Sequence, residues 1–372
     1  GASVPRLRGP VCIPLRDEGE GSPLSSPPRV RGSRSTRPPR TRDGAGPLSF
    51  EKGHTSMLSF INALPGAVSQ GLIWGIMAIG VYITYKVLDI ADLTVDGSFC
   101  TGAAVFVMLF TTGTNLWLAM LAAVLAGMAA GLVTGLLHTF CGIPAILSGI
   151  LTQLGLWSVN LAVMGMKSTV AINVTTSEML DKLLVSLRFV QDVAKGDRPF
   201  YRHPILVVGL FSLALIAVLY WFFGTELGCA LRATGSNQSM ARAQGINTDF
   251  TKVLGLMISN GLVALSGALL AQFNSASEIN MGRGAIVIGL AAVIIGQVLF
   301  GKVFRNFGLK MVAVSIGAIL YYIVIQAVLA MGLNANYLKL LSATVVALFL
   351  SVPYWKGQYF RKAVKTGGAG RA

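Results

Sequence analysis

The sequence predicts an all-α integral membrane protein that crosses the bilayer several times. Hydrophobic residues make up 53% of the 372-residue chain and charged residues only 12%, with a mean hydropathy of +0.67. A typical soluble domain has about 25% charged residues, so this chain has too little charge to cover a soluble surface. Residues 97–165 contain no Asp, Glu, Lys or Arg at all. Because a spanning helix needs about 20 apolar residues, that stretch holds about three spans, or two spans and a re-entrant segment.

Residues 1–56 have a different composition, rich in Arg, Pro, Ser and Gly, with ten basic and five acidic residues. Such a segment buries too little apolar surface to offset the entropy of ordering, so we expect a disordered basic tail. One alternative is an arm that binds nucleic acid or anionic lipid. The favoured interpretation is a linker, or an extension upstream of a natural start at Met57 that is no part of the native protein. We therefore predict no nucleic-acid partner.

The hydropathy pattern predicts about eight to ten membrane segments within a transmembrane domain at residues 57–355. Several candidates are too short to cross the bilayer fully, so the predicted number of segments is a range. They lie at residues 66–88, 98–112, 116–140, 143–165, 204–223, 251–273, 285–300, 309–330 and 337–352.

Charge in the connecting loops predicts the orientation. Residues 356–372 are basic and contain no acidic residue, so they form a cytoplasmic tail. Counting back places the loop at residues 225–250 inside and the loop at 166–202 outside. The first span then starts outside, which disagrees with a basic tail before it. Either that tail is absent in the cell or one early segment is re-entrant.

Glycines four residues apart occur twice within the spans. Gly127, Gly131 and Gly135 form one series, and Gly71 and Gly75 form another. Because residues at this spacing share one helix face, they predict close helix–helix packing, and they carry no functional information.

The sequence contains no complete enzyme motif. Residues 296–302 match the first seven positions of a phosphate-binding P-loop, but Val303 stands where Ser or Thr would hold Mg²⁺. The surrounding residues are an apolar membrane segment. Histidine and cysteine show no metal-ligand spacing. We therefore predict a chain without catalytic residues, an ATPase site, a cofactor or a metal.

Polar side chains within or beside the spans are candidates for a translocation path, because exposing them to lipid is costly. Hydrogen bonding between helices is an equally good explanation for the amides. For Asp96, a cap on its own helix is the favoured alternative. The candidates are Asp92, Asp96, Ser98, Gln153, Asn160, Asn260 and Gln297.

A polar segment lies between two strong spans, at residues 225–250. Asn237 suits a helix N-cap, and residues 238–244 fit about two turns before Gly245 ends them. A short capped helix at the membrane surface would be a rigid docking element for a soluble partner. An ordinary loop with one helical turn is the alternative that the pattern leaves open.

Two motifs resemble those of a known family. The segment around residues 228–246 is similar to the ATPase-coupling loop of ATP-binding-cassette (ABC) importer permeases of the branched-chain amino acid and ribose type. Residues 92–99, Asp-Leu-Thr-Val-Asp-Gly-Ser-Phe, resemble the subgroup associated with tryptophan- and tyrosine-type import. The coupling-loop positions are Gly228, Arg232, Ala233, Gly235, Asn237, Ala241 and Gly245.

The resemblance implies an ABC importer permease-like bundle in the plasma (inner) membrane. It implies import of a small solute, expected to be an amino acid and more narrowly an aromatic one, driven by ATP that a separate cytoplasmic ATPase consumes. An external substrate-binding protein and a second copy of the permease are the other expected partners. The rival class is a secondary transporter or channel that is not coupled to ATP, for which the pattern shows no charge in mid-span.

Overall fold

The computed structural model describes residues 48–172, 183–194, 203–301, 303–304, 306–330, 340, 342–348 and 351. The described elements are almost all helical. In chain order they are α1 (Leu48–Tyr82), a π-helical turn (Ile83–Val87), α2 (Val95–Thr111), α3 (Leu116–Thr139), α4 (Ala145–Val163), β1 (Thr169–Ala171), α5 (Leu187–Ala194), α6 (Pro204–Gly224), α7 (Glu226–Ser236), α8 (Gln238–Ala243), α9 (Thr248–Asn274), β2 (Ala276–Glu278), α10 (Ala285–Phe300) and α11 (Phe307–Ala330).

The start of α1 differs from the predicted domain boundary. Helix α1 begins at Leu48, so residues 48–56, which composition assigns to the disordered tail, are helical. The sequence permits this because no proline occurs between Pro47 and Pro65. Residues 1–47, the rest of that tail, lie outside the described residues, as do residues 356–372.

Six described helices are long and apolar enough to span a membrane: residues 63–87, α3, α4, α6, α9 and α11. Helices α2 and α10 are apolar but shorter. The six long helices and the two shorter ones give eight apolar helices among the described residues, which agrees with the predicted eight to ten membrane segments. The candidate span at 337–352 lies largely outside the described residues. The predicted polytopic helical fold is confirmed.

Helix α9 lies at the centre of the bundle. Its apolar window is 72% buried and that of residues 63–87 is 78% buried, against 22% for α4 and α6, which lie at the periphery. Glycine makes this burial possible, since a methyl group at Gly127 or Gly131 would collide with the α9 backbone at Asn260 or Leu256. The glycine series on α3 therefore marks a close helix contact, as predicted.

The second glycine series packs α1 against α11. A methyl group on Gly71 would lie 2.8 Å from the Ile319 Cα, and one on Gly75 would lie 3.2 Å from the Ser315 Cα. Small residues thus bring two pairs of spans together and leave the larger apolar side chains to fill the core.

The two ends of α9 lie beside different features. Its first residue, Thr248, follows the segment α7–α8, and its last, Asn274, precedes β2. Strands β1 and β2 pair antiparallel, with Thr169 opposite Glu278. At about 1.5 Å per residue, the 27 residues of α9 separate these two ends by about 40 Å.

Candidate functional site

Asp92 lies at the centre of a buried polar network. Its side chain is 3% exposed. One carboxylate oxygen, Oδ1, accepts a hydrogen bond from the Thr94 backbone N–H at 2.9 Å. The other, Oδ2, accepts one from Asn260 Nδ2 at 2.7 Å, and Ser98 Oγ donates to Asn260 Oδ1 at 2.7 Å. Three of the predicted path residues thus form one connected set, which joins α2 and its preceding segment to the middle of α9.

Two threonines extend this network and were not predicted. Thr94 and Thr134 are both buried, and their hydroxyl oxygens lie 2.7 Å apart. Thr134 also donates to the Ala130 carbonyl within α3. The only available sequence signal was the position of Thr94 inside the motif at 92–99. Nothing local marked Thr134, because its partner is 40 residues away.

Asp96 caps a helix other than its own. Its carboxylate oxygens accept hydrogen bonds from the backbone N–H groups of Gly284 and Ile286, both at 2.9 Å, at the start of α10. The favoured expectation, a cap on α2, is wrong: the α2 N-cap, Thr94, makes no side-chain capping bond. The free amides at the start of α10 and its dipole attract the carboxylate, and the fold brings them within reach.

Asp96, Gln153 and Asn160 line one cavity of about 180 Å³ between α2, α4 and the segment after β2. Gln153 and Asn160 lie seven residues apart, so both face α2 from the same side of α4. Asn160 is 1% exposed, and its Nδ2 donates weakly to the Gly97 carbonyl oxygen at 3.4 Å. Three more predicted path residues therefore come together. The remaining lining residues are Gly97, Cys100, Leu154, Trp157, Ile279 and Arg283.

Gln297 stands apart from both groups. It lines a separate cavity of about 250 Å³ with Lys86 and Lys310. Because Lys310 is near the start of α11, this cavity lies toward the α7–α8 end of the bundle. The seven candidates thus divide into a buried network, a cavity group and one separate amide. Their role in a translocation path stays a prediction.

The segment α7–α8 has the predicted caps. Asn237 Oδ1 accepts from the Met240 N–H at 3.1 Å, which caps α8, and Gly245 follows the helix with a φ of +82°. Asn247 then caps α9 by accepting from the Asp249 and Phe250 N–H groups at 3.2 and 3.1 Å. These residues fix a sharp helix–turn–helix path from local sequence alone. We call α7–α8 with its flanking caps, residues 225–247, the coupling segment, after the role that the resemblance predicts for it.

The buried side of the coupling segment packs against the helical bundle. A methyl group on Gly235 would collide with the Val87 carbonyl oxygen and would lie 2.8 Å from the Leu88 Cα. The Thr234 and Thr251 hydroxyl oxygens lie 2.9 Å apart, which joins α7 to α9. Gly235 therefore provides the close contact with the end of the π-helical turn that follows α1.

The other predicted coupling positions also have structural roles. Gly228 lies against the backbone of residues 222–223 at the end of α6. Ala233 O accepts from the Asn237 N–H at 3.0 Å, and Ala241 is buried. The Arg232 guanidinium lies 5.6 Å from the centre of the Phe307 ring, at the start of α11.

Comparison with known proteins places this geometry in a family. A model described as "Branched-chain amino acid transport system / permease component" matches residues 64–350. The tyrosine transport system permease protein of Clostridioides difficile (strain R20291) is 38% identical over 78% of this chain and 91% of its own length. An uncharacterized protein of Rickettsia prowazekii (strain Madrid E) is 33% identical over 78% of this chain and 98% of its own.

A more distant match is the ribose import permease protein RbsC of Escherichia coli (strain K12). It is 24% identical over 40% of this chain and 44% of its own length. The family match covers the membrane domain described above, and its members are transport components. The predicted resemblance is thus confirmed, and this multi-pass plasma-membrane protein belongs to the family of permease components of branched-chain amino acid transport systems.

Proposed function

We propose that this chain is the permease subunit of an ABC importer that moves an amino acid, and specifically an aromatic one, inward across the plasma membrane. The family match and the tyrosine transport relative support the substrate class. In this proposal the chain itself binds no cofactor and hydrolyses no ATP. A separate cytoplasmic ATPase supplies the energy, and an external substrate-binding protein delivers the solute.

The coupling segment carries the proposal. It exposes apolar side chains on its outer side, with Leu227 49% and Met240 60% exposed. Its inner side contacts the end of the π-helical turn after α1 at Val87, and the start of α9 through Thr234. A soluble subunit that moves this segment must therefore move two central helices as well.

A continuous set of contacts leads from this segment to the buried network. Gly235 contacts the backbone at residues 87–88, where the π-helical turn ends. Four residues after Leu88, Asp92 accepts a hydrogen bond from Asn260 at mid-length of α9. We propose that this chain of contacts transmits motion of the ATPase to the middle of the membrane.

We also propose a homodimer, because one permease chain with a single coupling segment would have to serve two ATPase subunits. Large apolar side chains are exposed on α4, including Leu147, Leu151 and Leu154, and this face offers a surface for a second copy or for lipid. Cysteine crosslinking in native membranes should trap a species of twice the 39.2 kDa monomer mass. Full uptake by a strictly monomeric complex would rule the dimer out.

Reconstituted uptake tests the whole proposal. Proteoliposomes would hold the permease with the ATPase and the binding protein of the same transport system, and labelled tyrosine, tryptophan, leucine and ribose would be compared. We expect ATP-dependent tyrosine or tryptophan uptake that ribose does not reduce. Uptake that only ribose competes would overturn the amino-acid assignment.

One observation favours a second candidate, a secondary transporter. Asp92 is a buried carboxyl group at the level of the middle of α9, and such groups carry protons in many ion-coupled transporters. The sequence pattern showed no charge in mid-span, whereas Asp92 accepts a hydrogen bond from Asn260 at mid-length of α9. Uptake by the permease alone, driven by a proton gradient and abolished by an ionophore, would support this candidate against the importer.

A further inference from the structure

The cavity lined by Asp96, Asn160 and Arg283 contains opposite charges that do not neutralise each other. Among the described residues Arg283 makes no ion pair, so its guanidinium lies more than 4.0 Å from either Asp96 oxygen. The Asp96 carboxylate accepts two hydrogen bonds from backbone N–H groups at the start of α10. A carboxylate has about four lone-pair positions, which leaves it able to accept further donors. The cavity therefore presents a separated cation and anion.

Asn160 adds an unsatisfied acceptor to the same cavity. Its side chain is 1% exposed, and its Oδ1 has no hydrogen-bond partner among the described residues. Its Nδ2 already donates to the Gly97 carbonyl, which fixes the orientation of the amide. A buried acceptor without a partner costs about 1–3 kcal/mol, so a native chain retains one where a ligand or water completes it.

The rest of the cavity is apolar and small. Trp157, Leu154 and Ile279 line it, and because Trp157 is 44% and Leu154 65% exposed, the cavity is open on the α4 side. At about 30 Å³ per water molecule, a volume of 180 Å³ equals about six waters. This space holds the charged backbone of one amino acid, whose side chain then lies on the open side of the cavity against Trp157.

We infer that this cavity is a binding site for a zwitterionic amino acid, with Arg283 binding the carboxylate, Asn160 Oδ1 and Asp96 binding the ammonium group, and Trp157 contacting the side chain. Opposite charges on one ligand satisfy both charged residues at once, which a sugar cannot do. The inference rests on the proposed function and adds to it a place where the permease itself recognises substrate.

The position of the cavity assigns its place in transport. Cys100, one of its lining residues, contacts the Ile279 carbonyl oxygen through its thiol at 3.3 Å, just after β2. The sheet lies at the end of α9 opposite the coupling segment. The cavity therefore lies on the side that would receive substrate from an external binding protein.

The test uses Arg283→Gln in the full permease complex, with Lys167→Gln as the matched control. Lys167 is an exposed cation next to β1 that does not line the cavity. We expect Arg283→Gln to raise the KM for tyrosine about tenfold or more, because a charged hydrogen bond is lost. Arg283→Lys should raise the KM for tyrosine less than Arg283→Gln does, because it keeps the positive charge. Lys167→Gln should leave the KM unchanged.

A second variant and a second ligand separate recognition from folding. Asn160→Leu should weaken binding of labelled tyrosine to the purified permease, because it removes the Oδ1 acceptor. Tyramine, which lacks the carboxylate, should bind the wild type and Arg283→Gln equally. Membrane level and co-purification of the ATPase report whether each variant is folded.

The outcomes distinguish the inference from the proposed function. If the wild type imports tyrosine and Arg283→Gln imports it with the same KM, the inference is wrong and the proposed function stands. If the wild type imports ribose and no amino acid, both are wrong. A rise in the tyrosine KM confined to the Arg283 variants supports both.

Discussion

The coupling segment and the buried network differ in how far apart in the chain their hydrogen-bonded residues lie. In the coupling segment, Asn237 bonds the N–H of Met240, three residues away. In the network, Asp92 and Asn260 are 168 residues apart, and in the neighbouring cavity the Asp96 carboxylate bonds an amide 190 residues away. The short-range hydrogen bonds of the coupling segment can be predicted from one stretch of sequence. The long-range bonds form only when the helices pack together.

The two regions also differ in what the loss of a bond costs. The caps of the coupling segment are exposed, so water can replace a lost bond, and a cap contributes about 1 kcal/mol. The network is buried, with Asp92 3% and Asn260 0% exposed. A buried charged group that loses its partner costs more, because no water takes its place. Disruption of the network should therefore harm stability most, and disruption of the caps should harm coupling.

The largest effect is expected for Asn260→Leu. It removes the partners of Asp92 Oδ2 and Ser98 Oγ together, and we expect about 3 kcal/mol lower stability. The melting temperature of the purified protein in detergent measures it. Gln153→Leu is the control, since the Gln153 side chain makes no hydrogen bond to a described residue, and it should change stability by about 0.5 kcal/mol or less. Equal melting temperatures for both variants would contradict the ranking.

Gly235→Ala should have the next largest effect, and it acts where the coupling segment contacts residues 87–88, a few residues before the network begins at Asp92. The added methyl group would collide with the Val87 carbonyl, so we expect about 2 kcal/mol of strain and loss of ATP-dependent uptake. Gly155→Ala is the matched control, because a methyl group there meets no atom within 4 Å. Normal uptake by Gly235→Ala would show that the contact with the π-helical turn does not transmit coupling.

The cap variants should have a smaller and more specific effect. Asn237→Ala should cost about 1 kcal/mol of local helix stability. Gly245→Val should cost more, because a β-branched residue fits a φ of +82° poorly.

We expect the double variant Asn237→Ala/Gly245→Val to reach the membrane at a normal level and to bind the ATPase weakly. Co-purification of the ATPase with the wild type and with the double variant measures this. Retention of full ATPase binding and uptake would exclude the coupling segment as the docking site.

The smallest effect is expected for deletion of residues 1–47. Their composition predicts no contribution to folding, so membrane level and uptake should match those of the full chain. Deletion of residues 1–56 is the informative comparison, because it also removes the first turns of α1. A loss of insertion with the shorter deletion would identify the tail as a determinant of topology.

Local features were predictable because their causes lie within a few residues. The spans, the cap at Asn237 and the end at Gly245 follow from hydropathy and turn chemistry in single stretches of chain. The glycine spacing on α3 also predicted close packing, although not the identity of α9 as the partner. The same local reasoning failed for Asp96, where it favoured a cap on α2.

Taken alone, the sequence determined that the chain is a helical membrane protein with a capped polar segment between two spans, because burial of apolar residues and completion of helix ends are local requirements. Only the tertiary structure decided that Asp92, Ser98 and Asn260 form one network. It also decided that Asp96 and Arg283 share a cavity with Asn160. The physical reason is that a buried polar group takes whichever partner the helix packing brings within about 3 Å, and that partner can come from any part of the chain.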